Sequence, residues 1–201
     1  MKSVAINGEL RTAVGKKDAK ALRAESKVPC VLYGGNEPIH FQADFAEFRK
    51  IVYTPNVYIV SLMISGKEYQ AIMQDIQWHP VQEEILHVDF LQVAENKPVK
   101  IEVPVKVEGY AKGMRAGGKL KLNLRRLKIK ALPTNIPDSI KVNIDALELG
   151  QAIKVGQIDA KNVEILNSKS NPVVTIMITR AARAAMNASA AAATPAKKGK
   201  K

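Results

Sequence analysis

Strand signals dominate this chain, as short β-rich runs bounded by turn residues in the first half and as alternation of apolar and polar positions in the second. Residues 28–33 are rich in strand formers and run into the turn cluster Gly34, Gly35, Asn36, Glu37 and Pro38, after which 39–42 resume the pattern. Residues 57–64 and 67–73 flank Ser65 and Gly66, which predicts a hairpin. A further strand is predicted over 86–91. One longer helix interrupts the series. Asp44 offers an N-cap with Glu47 three residues on, as in a capping box. Phe45, Phe48 and Val52 fall on one face, and Pro55 ends the element. A shorter helix is predicted over 19–25 with Asp18 as its cap. Several strands and one long helix imply a small barrel or folded sheet with the helix packed on it.

The pattern breaks at 94–98, where a domain boundary is expected. Beyond it Val99, Ile101, Val103, Val105 and Val107 alternate with Lys100, Glu102, Lys106 and Glu108. Pro104 falls on the polar face and predicts an edge strand, because proline cannot donate to a ladder. Residues 113–118 read as a loop, 120–124 and 127–130 as alternating strands, and 172–179 as a closing strand. From Arg180 on, ten of 22 residues are Ala and none is acidic. That segment has no apolar stripe to pack, so a flexible basic tail is expected. The organisation is thus residues 1–94 and 96–179 as two β-rich domains, with 180–201 as tail.

Charge sharpens the picture. The net charge is +12, and it is blocked rather than spread. Residues 97–130 carry 11 basic and 2 acidic groups, 1–28 carry 7 and 3, and 180–201 carry 6 and none, while 67–96 carry 1 and 6. Such blocks favour a polyanionic partner, because neutralised phosphates release condensed counterions. Aromatics are only 5%, so the core rests on Val, Ile and Leu. Cys30 is the only cysteine, which excludes an intrachain disulfide and suits a reducing compartment. No secretory signal is visible, and the longest apolar run, 57–64, is far short of the ~20 residues that span a bilayer. A cytoplasmic chain with no membrane partner is expected.

Three groups of residues could carry function. Lys16, Lys17, Lys20, Arg23 and Lys27 crowd one short segment, with 20, 23 and 27 on one face if it is helical. They either track a phosphate backbone or form a solvated face. In a strand, His87 and Asp89 point to one side and Val88 and Phe90 to the other. The pair offers a donor and an acceptor to base edges or a ribose hydroxyl, or it satisfies itself at a barrel rim. In the segment Gln74 to Pro80, Trp78 could stack on a base or fill the core edge, and Tyr33 could reach a phosphate or base. An enzyme using His87 and Asp89 would need a nucleophile or metal. Neither a nucleophile motif nor ligand spacing among His40, His79 and His87 is present, so no cofactor, metal or small-molecule substrate is expected.

The ordered blocks Arg11, Gly15-Lys16-Lys17-Asp18-Ala19-Lys20-Ala21-Leu22-Arg23, Val28-Pro29-Cys30-Val31-Leu32-Tyr33-Gly34-Gly35, Gln74-Asp75-Ile76-Gln77-Trp78-His79-Pro80 and Ile85-Leu86-His87-Val88-Asp89-Phe90 resemble the bacterial ribosomal protein L25 family. Gly113-Met114-Arg115-Ala116-Gly117-Gly118, Leu132-Pro133-Thr134-Asn135-Ile136-Pro137 and Leu147-Glu148-Leu149-Gly150 resemble its long form, with a C-terminal domain of the general-stress-protein CTC type. The resemblance implies a six-stranded β-barrel with helices that docks on the minor-groove side of loop E of 5S rRNA. It also implies other large-subunit components as partners. Contacts carried over fall on Arg11, Arg23, Tyr33, His87 and Asp89, and Lys16, Lys17, Lys20, Trp78 and His79 join them as candidates. Two positions depart from the family pattern: Trp78 and Lys20 stand where relatives often carry Arg. The alternative is a sequence-tolerant basic RNA-binding stress protein. The stretch 97–130, with Lys119, Lys121, Arg125 and Arg126, hints at a further RNA contact, or is an amphipathic strand face in solvent.

Overall fold

A computed structural model describes residues 2–94, 96–160 and 162–184. The chain divides into two compact units. The first comprises 1–104, 128–139 and 162–164; the second comprises 105–127, 140–161 and 165 onward.

The first unit is dominated by β1 (Lys2–Leu10), α1 (Lys16–Ala24), β2 (Lys27–Tyr33), β3 (Ile39–Asp44), α2 (Phe45–Val52), β4 (Tyr58–Ile64), β5 (Lys67–Trp78) and β6 (Ile85–Gln92). The six strands close into a barrel in the order β1-β3-β2-β6-β5-β4. Closure removes every exposed edge, and it depends on β1 running parallel to β4 from Lys2 opposite Tyr58 to Gly8 opposite Ile64. β1 carries only a weak pattern, Val4 and Ile6 at a spacing of two with Ala5 between them. Inward residues include Ile6, Cys30, Leu32, Phe41, Val60, Leu62, Val88 and Phe90, each at most 1% exposed. Phe48 of α2 completes the core, its ring 6.4 Å from Phe90, which lies 5.8 Å from Phe41.

Several local expectations need correction. α1 begins at Lys16 with Gly15 as N-cap, so Asp18 sits in the first turn. α1 ends at Ala24, and Lys27 opens β2 and pairs with Glu9 at 3.3 Å instead of joining Lys20 and Arg23 on a helix. Asp44 occupies the N-cap of α2 without a side-chain bond to it. Glu47 reaches away to Asn7, accepting from its backbone N–H at 2.6 Å, so the capping box is replaced by a tie between α2 and β1. The Ser65–Gly66 hairpin holds, with φ of 48° and 81° at the two loop residues. Both positive values fit the type I′ turn that matches strand twist.

Beyond the barrel follow β7 (Val99–Glu108), α3 (Lys112–Arg115), β8 (Lys119–Leu122), β9 (Arg126–Ala131), β10 (Ile140–Asn143), β11 (Ala152–Lys154), β12 (Glu164–Ile165) and β13 (Pro172–Met177). They form a four-stranded sheet, β10-β7-β9-β12, and a three-stranded sheet, β11-β13-β8. The strand containing Pro104 is therefore an inner one, not an edge. Pairing to β10 starts at Val105, one residue after the proline, so the missing N–H interrupts no bond to β10. The presumed loop 113–118 contains α3. At the other end, residues 180–184 are helical rather than tail. Thr179 caps that turn, accepting from Ala182 N–H at 3.2 Å. The rest of the expected tail, 185–201, lies outside the described residues.

Candidate nucleic-acid interface

Because Val88 and Phe90 fill the barrel, β6 must present His87 and Asp89 outward. Neighbouring strands supply the rest of that face through register. Asp89 lies opposite Val31 of β2 and Asp75 of β5, His87 opposite Gln77, and Val31 opposite His40 of β3. The result is a row His40, Val31, Asp89, Asp75 across four strands, at about 4.8 Å per strand. Tyr33 stands two residues beyond Val31 on the same face. Partial burial first, then the carboxylates of Asp89 and Asp75, raise its phenol above the ordinary value, so the hydroxyl remains a donor.

His87 Nδ1 and Asp89 Oδ1 approach to 2.6 Å. The nitrogen is nonetheless enclosed without an aligned hydrogen bond, because the carboxylate lies off the ring N–H direction. Both side chains keep roughly 30% exposure, 28% for His87 and 32% for Asp89. The pair is thus open to a partner rather than sealed within the rim. Asp75 and Asp89 add a second tension, since like charges directly opposed across strands are unfavourable. Donors from outside, such as base amino groups or ribose hydroxyls, would relieve the opposed carboxylates.

Basic groups flank this face. Arg23 donates from Nε and Nη2 to the carbonyl of Leu86, at 3.1 and 2.9 Å. That fork anchors α1 beside His87, the next residue along β6. Ala19 and Leu22 of α1 are half-buried, while Lys16, Lys17 and Lys20 are exposed. Arg11 leaves β1 with its N–H bonded to the carbonyl of His40 at 3.0 Å, which puts it at the β3 end of the row. Its guanidinium donates to the Ala13 carbonyl.

Two candidates stand apart. Trp78 lies edge-on to Tyr53, the residue following α2, with ring centroids 6.3 Å apart. His79 organises the β5–β6 turn, accepting at Nδ1 from the N–H groups of Gln82 at 3.1 Å and Val81 at 3.4 Å. Accepting there puts its proton on Nε2. The face also gains Asp75, Gln77 and His40, none of which the sequence singled out as binding residues. A register irregularity between Met73 and Asp75 hides the two on β5, because that strand loses its period of two there and continues to Trp78.

Among the described residues no group of three or more His, Cys, Asp or Glu is arranged to hold a metal. Cys30 is fully buried, and burial pushes its thiol far above the ordinary value, which keeps it un-ionised. No helix among the described residues is long and apolar enough to cross a membrane.

A closed barrel with a polar outer face and a basic helix lashed beside it, followed by a second β-rich unit, matches two ribosomal protein families in sequence. Residues 6–90 match the Ribosomal L25p family, and residues 98–180 match the Ribosomal protein TL5, C-terminal domain. Large ribosomal subunit protein bL25 of Azobacteroides pseudotrichonymphae genomovar. CFP2 is 49% identical over 188 residues, covering 93% of this chain and all of that protein. The proteins of the same name from Bacteroides fragilis strain YCH46 and Porphyromonas gingivalis strain ATCC 33277 are 46% and 43% identical. Each match covers 92% of this chain and 97% of the relative. The chain belongs to the bL25 family.

Proposed function

We propose that this chain is a structural constituent of the large ribosomal subunit whose barrel binds 5S rRNA, with the His87–Asp89 face against the minor-groove side of the loop E region. The relatives are named as large-subunit proteins, which carries the coarser half of this reading. The observation behind the finer half is the open His87–Asp89 pair beside Tyr33 and Asp75, flanked by Arg11, Arg23 and the exposed lysines of α1. A wide, shallow RNA minor groove displays 2′-hydroxyls and base edges to such a mixed donor and acceptor row. Lys16, Lys17 and Lys20 supply phosphate contacts that fix register without reading sequence. The chain acts on the ribosome in the cytoplasm and has no catalytic role in this reading.

A gel-shift titration against 5S rRNA tests it, with a loop E mutant and an unrelated RNA duplex as competitors, at low and physiological salt. His87→Ala with Asp89→Ala is expected to lose about 1–3 kcal/mol of discrimination between 5S rRNA and the loop E mutant. Equal affinity of the unmodified chain for all three RNAs would leave only a generic basic binder.

A further inference from the structure

The cations of the C-terminal half fall into two groups that the sequence does not separate. On the four-stranded sheet three of them face carboxylates. Lys128 lies 3.6 Å from Glu102, Lys130 3.6 Å from Glu164, and Lys141 2.7 Å from Glu108. Glu102 and Glu108 of β7 and Glu164 of β12 thus offset half of the six cations on that sheet. The three-stranded sheet differs. Its strands β8, β11 and β13 contain no Asp or Glu, and neither do residues 109–127 or 172–184 as a whole.

Register places the unbalanced charge. Val174 and Ile176 are fully buried, so Thr175 and Met177 face outward with their partners Lys121 and Lys119. The two lysines, two residues apart on one strand, stand roughly 6.6 Å from each other. Asn123 donates to the Thr175 hydroxyl at 2.7 Å, which leaves a flat polar strip beside them. At the end of this strip Thr179 donates to the carbonyl of Gly117 at 2.7 Å, and Ala182 is buried next to Gly117. Gly117 holds φ at 84°, a conformation that side chains resist. The docked turn carries Arg180 and Arg183, three apart on its surface and both exposed. Lys112 and Arg115 of α3 lead into the same glycine, with Arg115 over the Tyr110 ring at 5.8 Å. The nearest carboxylates on adjoining segments are engaged locally. Asp145 accepts from Tyr110 N–H and Glu148 from the Gln151 amide.

We infer that this surface, Lys119 and Lys121 with Arg180 and Arg183, is a second RNA-binding site that grips the phosphate backbone of an RNA helix without reading its sequence. Closely spaced cations, no carboxylate among them and neutral hydrogen-bonding groups between them suit a phosphate track and the hydroxyls beside it. The site deepens the reading of the chain as a large-subunit constituent and rests on it. It gives the C-terminal unit a contact of its own, separate from the barrel face.

The test measures the full chain against a ~20-bp RNA duplex unrelated to 5S rRNA, and separately against 5S rRNA, across a salt series. Lys119→Gln, Lys121→Gln, Arg180→Gln and Arg183→Gln combined should weaken duplex binding at least tenfold at low salt. The slope of log K against log salt should fall by about one for each cation that met a phosphate. Preference for 5S rRNA over the loop E mutant should stay unchanged. Lys128→Gln with Lys130→Gln serves as the control and should shift neither. Circular dichroism melts matching the unmodified chain establish that the quadruple variant is folded; if it melts early, the Arg180→Gln, Arg183→Gln pair should give half the slope change. Duplex binding unaffected by the substitutions would overturn the inference. So would displacement of the duplex by poly-glutamate as effectively as by RNA, which would point to an acidic protein partner. Loss of 5S preference in the unmodified chain would sink the barrel reading and leave this one standing.

Discussion

The barrel face and the face of the three-stranded sheet are both outward surfaces of β-sheet, yet they are built on opposite electrostatic plans. Around β6 the barrel mixes signs. An imidazole touches a carboxylate, two aspartates oppose each other in register, and the nearest arginine is spent on a backbone carbonyl. Around β8, residues 109–127 and 172–184 carry one sign of charge only, and strand register fixes where the lysines stand. Mixed groups held in place can tell one base edge from another, whereas cations alone bind any phosphate. The difference teaches that net charge is a poor guide to which surface confers specificity. The stretch 67–96, which contributes the core of the reading face, is the most acidic part of the chain.

The largest expected effect comes from undermining the frame of the mixed face. Phe90 is fully buried against Phe41 and Phe48 on the strand that carries His87 and Asp89. Phe90→Ala should cost about 3–5 kcal/mol of stability, read by urea unfolding. Loop E preference should disappear under conditions where unrelated-duplex binding through the sheet persists. Parallel loss of both would mean that the two faces are not separable.

A smaller effect is expected at the tether. Arg23→Lys keeps the charge but loses the two-pronged bond to Leu86, because an ammonium has no planar fork. Affinity for 5S rRNA should fall by about 1 kcal/mol, while the salt slope stays the same since no cation is removed. A changed slope with unchanged specificity would show that Arg23 acts on phosphate instead.

The smallest effect sharpens the comparison by its sign. Asp75→Asn removes the like-charge opposition to Asp89 and should stabilise the free protein by roughly 0.2–1 kcal/mol, measured as a higher Tm. It should at the same time weaken discrimination against the loop E mutant. A gain in stability with intact discrimination would assign Asp75 no part in reading RNA.

Much of this was legible in the residues. The β-rich runs at β2 and β6, the period of two in β7, the Ser65–Gly66 hairpin and the helix from Phe45 follow from local pattern and turn chemistry, and each forms. The outward pairing of His87 with Asp89 also follows from strand alternation alone. What escaped depended on neighbours distant in sequence. β1, whose own pattern is weak, is held as a strand by β4 and β3 on either side. Glu47 had two plausible partners, and the fold chose Asn7, 40 residues away, over its own helix terminus. Pro104 breaks a ladder only where a partner strand needs its N–H, and the register of β10 begins one residue later.

The sequence by itself determined the β-rich class, the blocks of charge and the shared outward face of His87 and Asp89, since those depend on composition and on the alternation of a single strand. Tertiary structure alone decided which groups meet. It opposed Asp75 to Asp89 through a register shift in β5 and gave Lys128 and Lys130 carboxylate partners, while Lys119 and Lys121 stand opposite Met177 and Thr175. The physical reason is that electrostatic and hydrogen-bond energies depend on distances of a few ångströms between strands, and strand order and register fix those distances only when the sheets close.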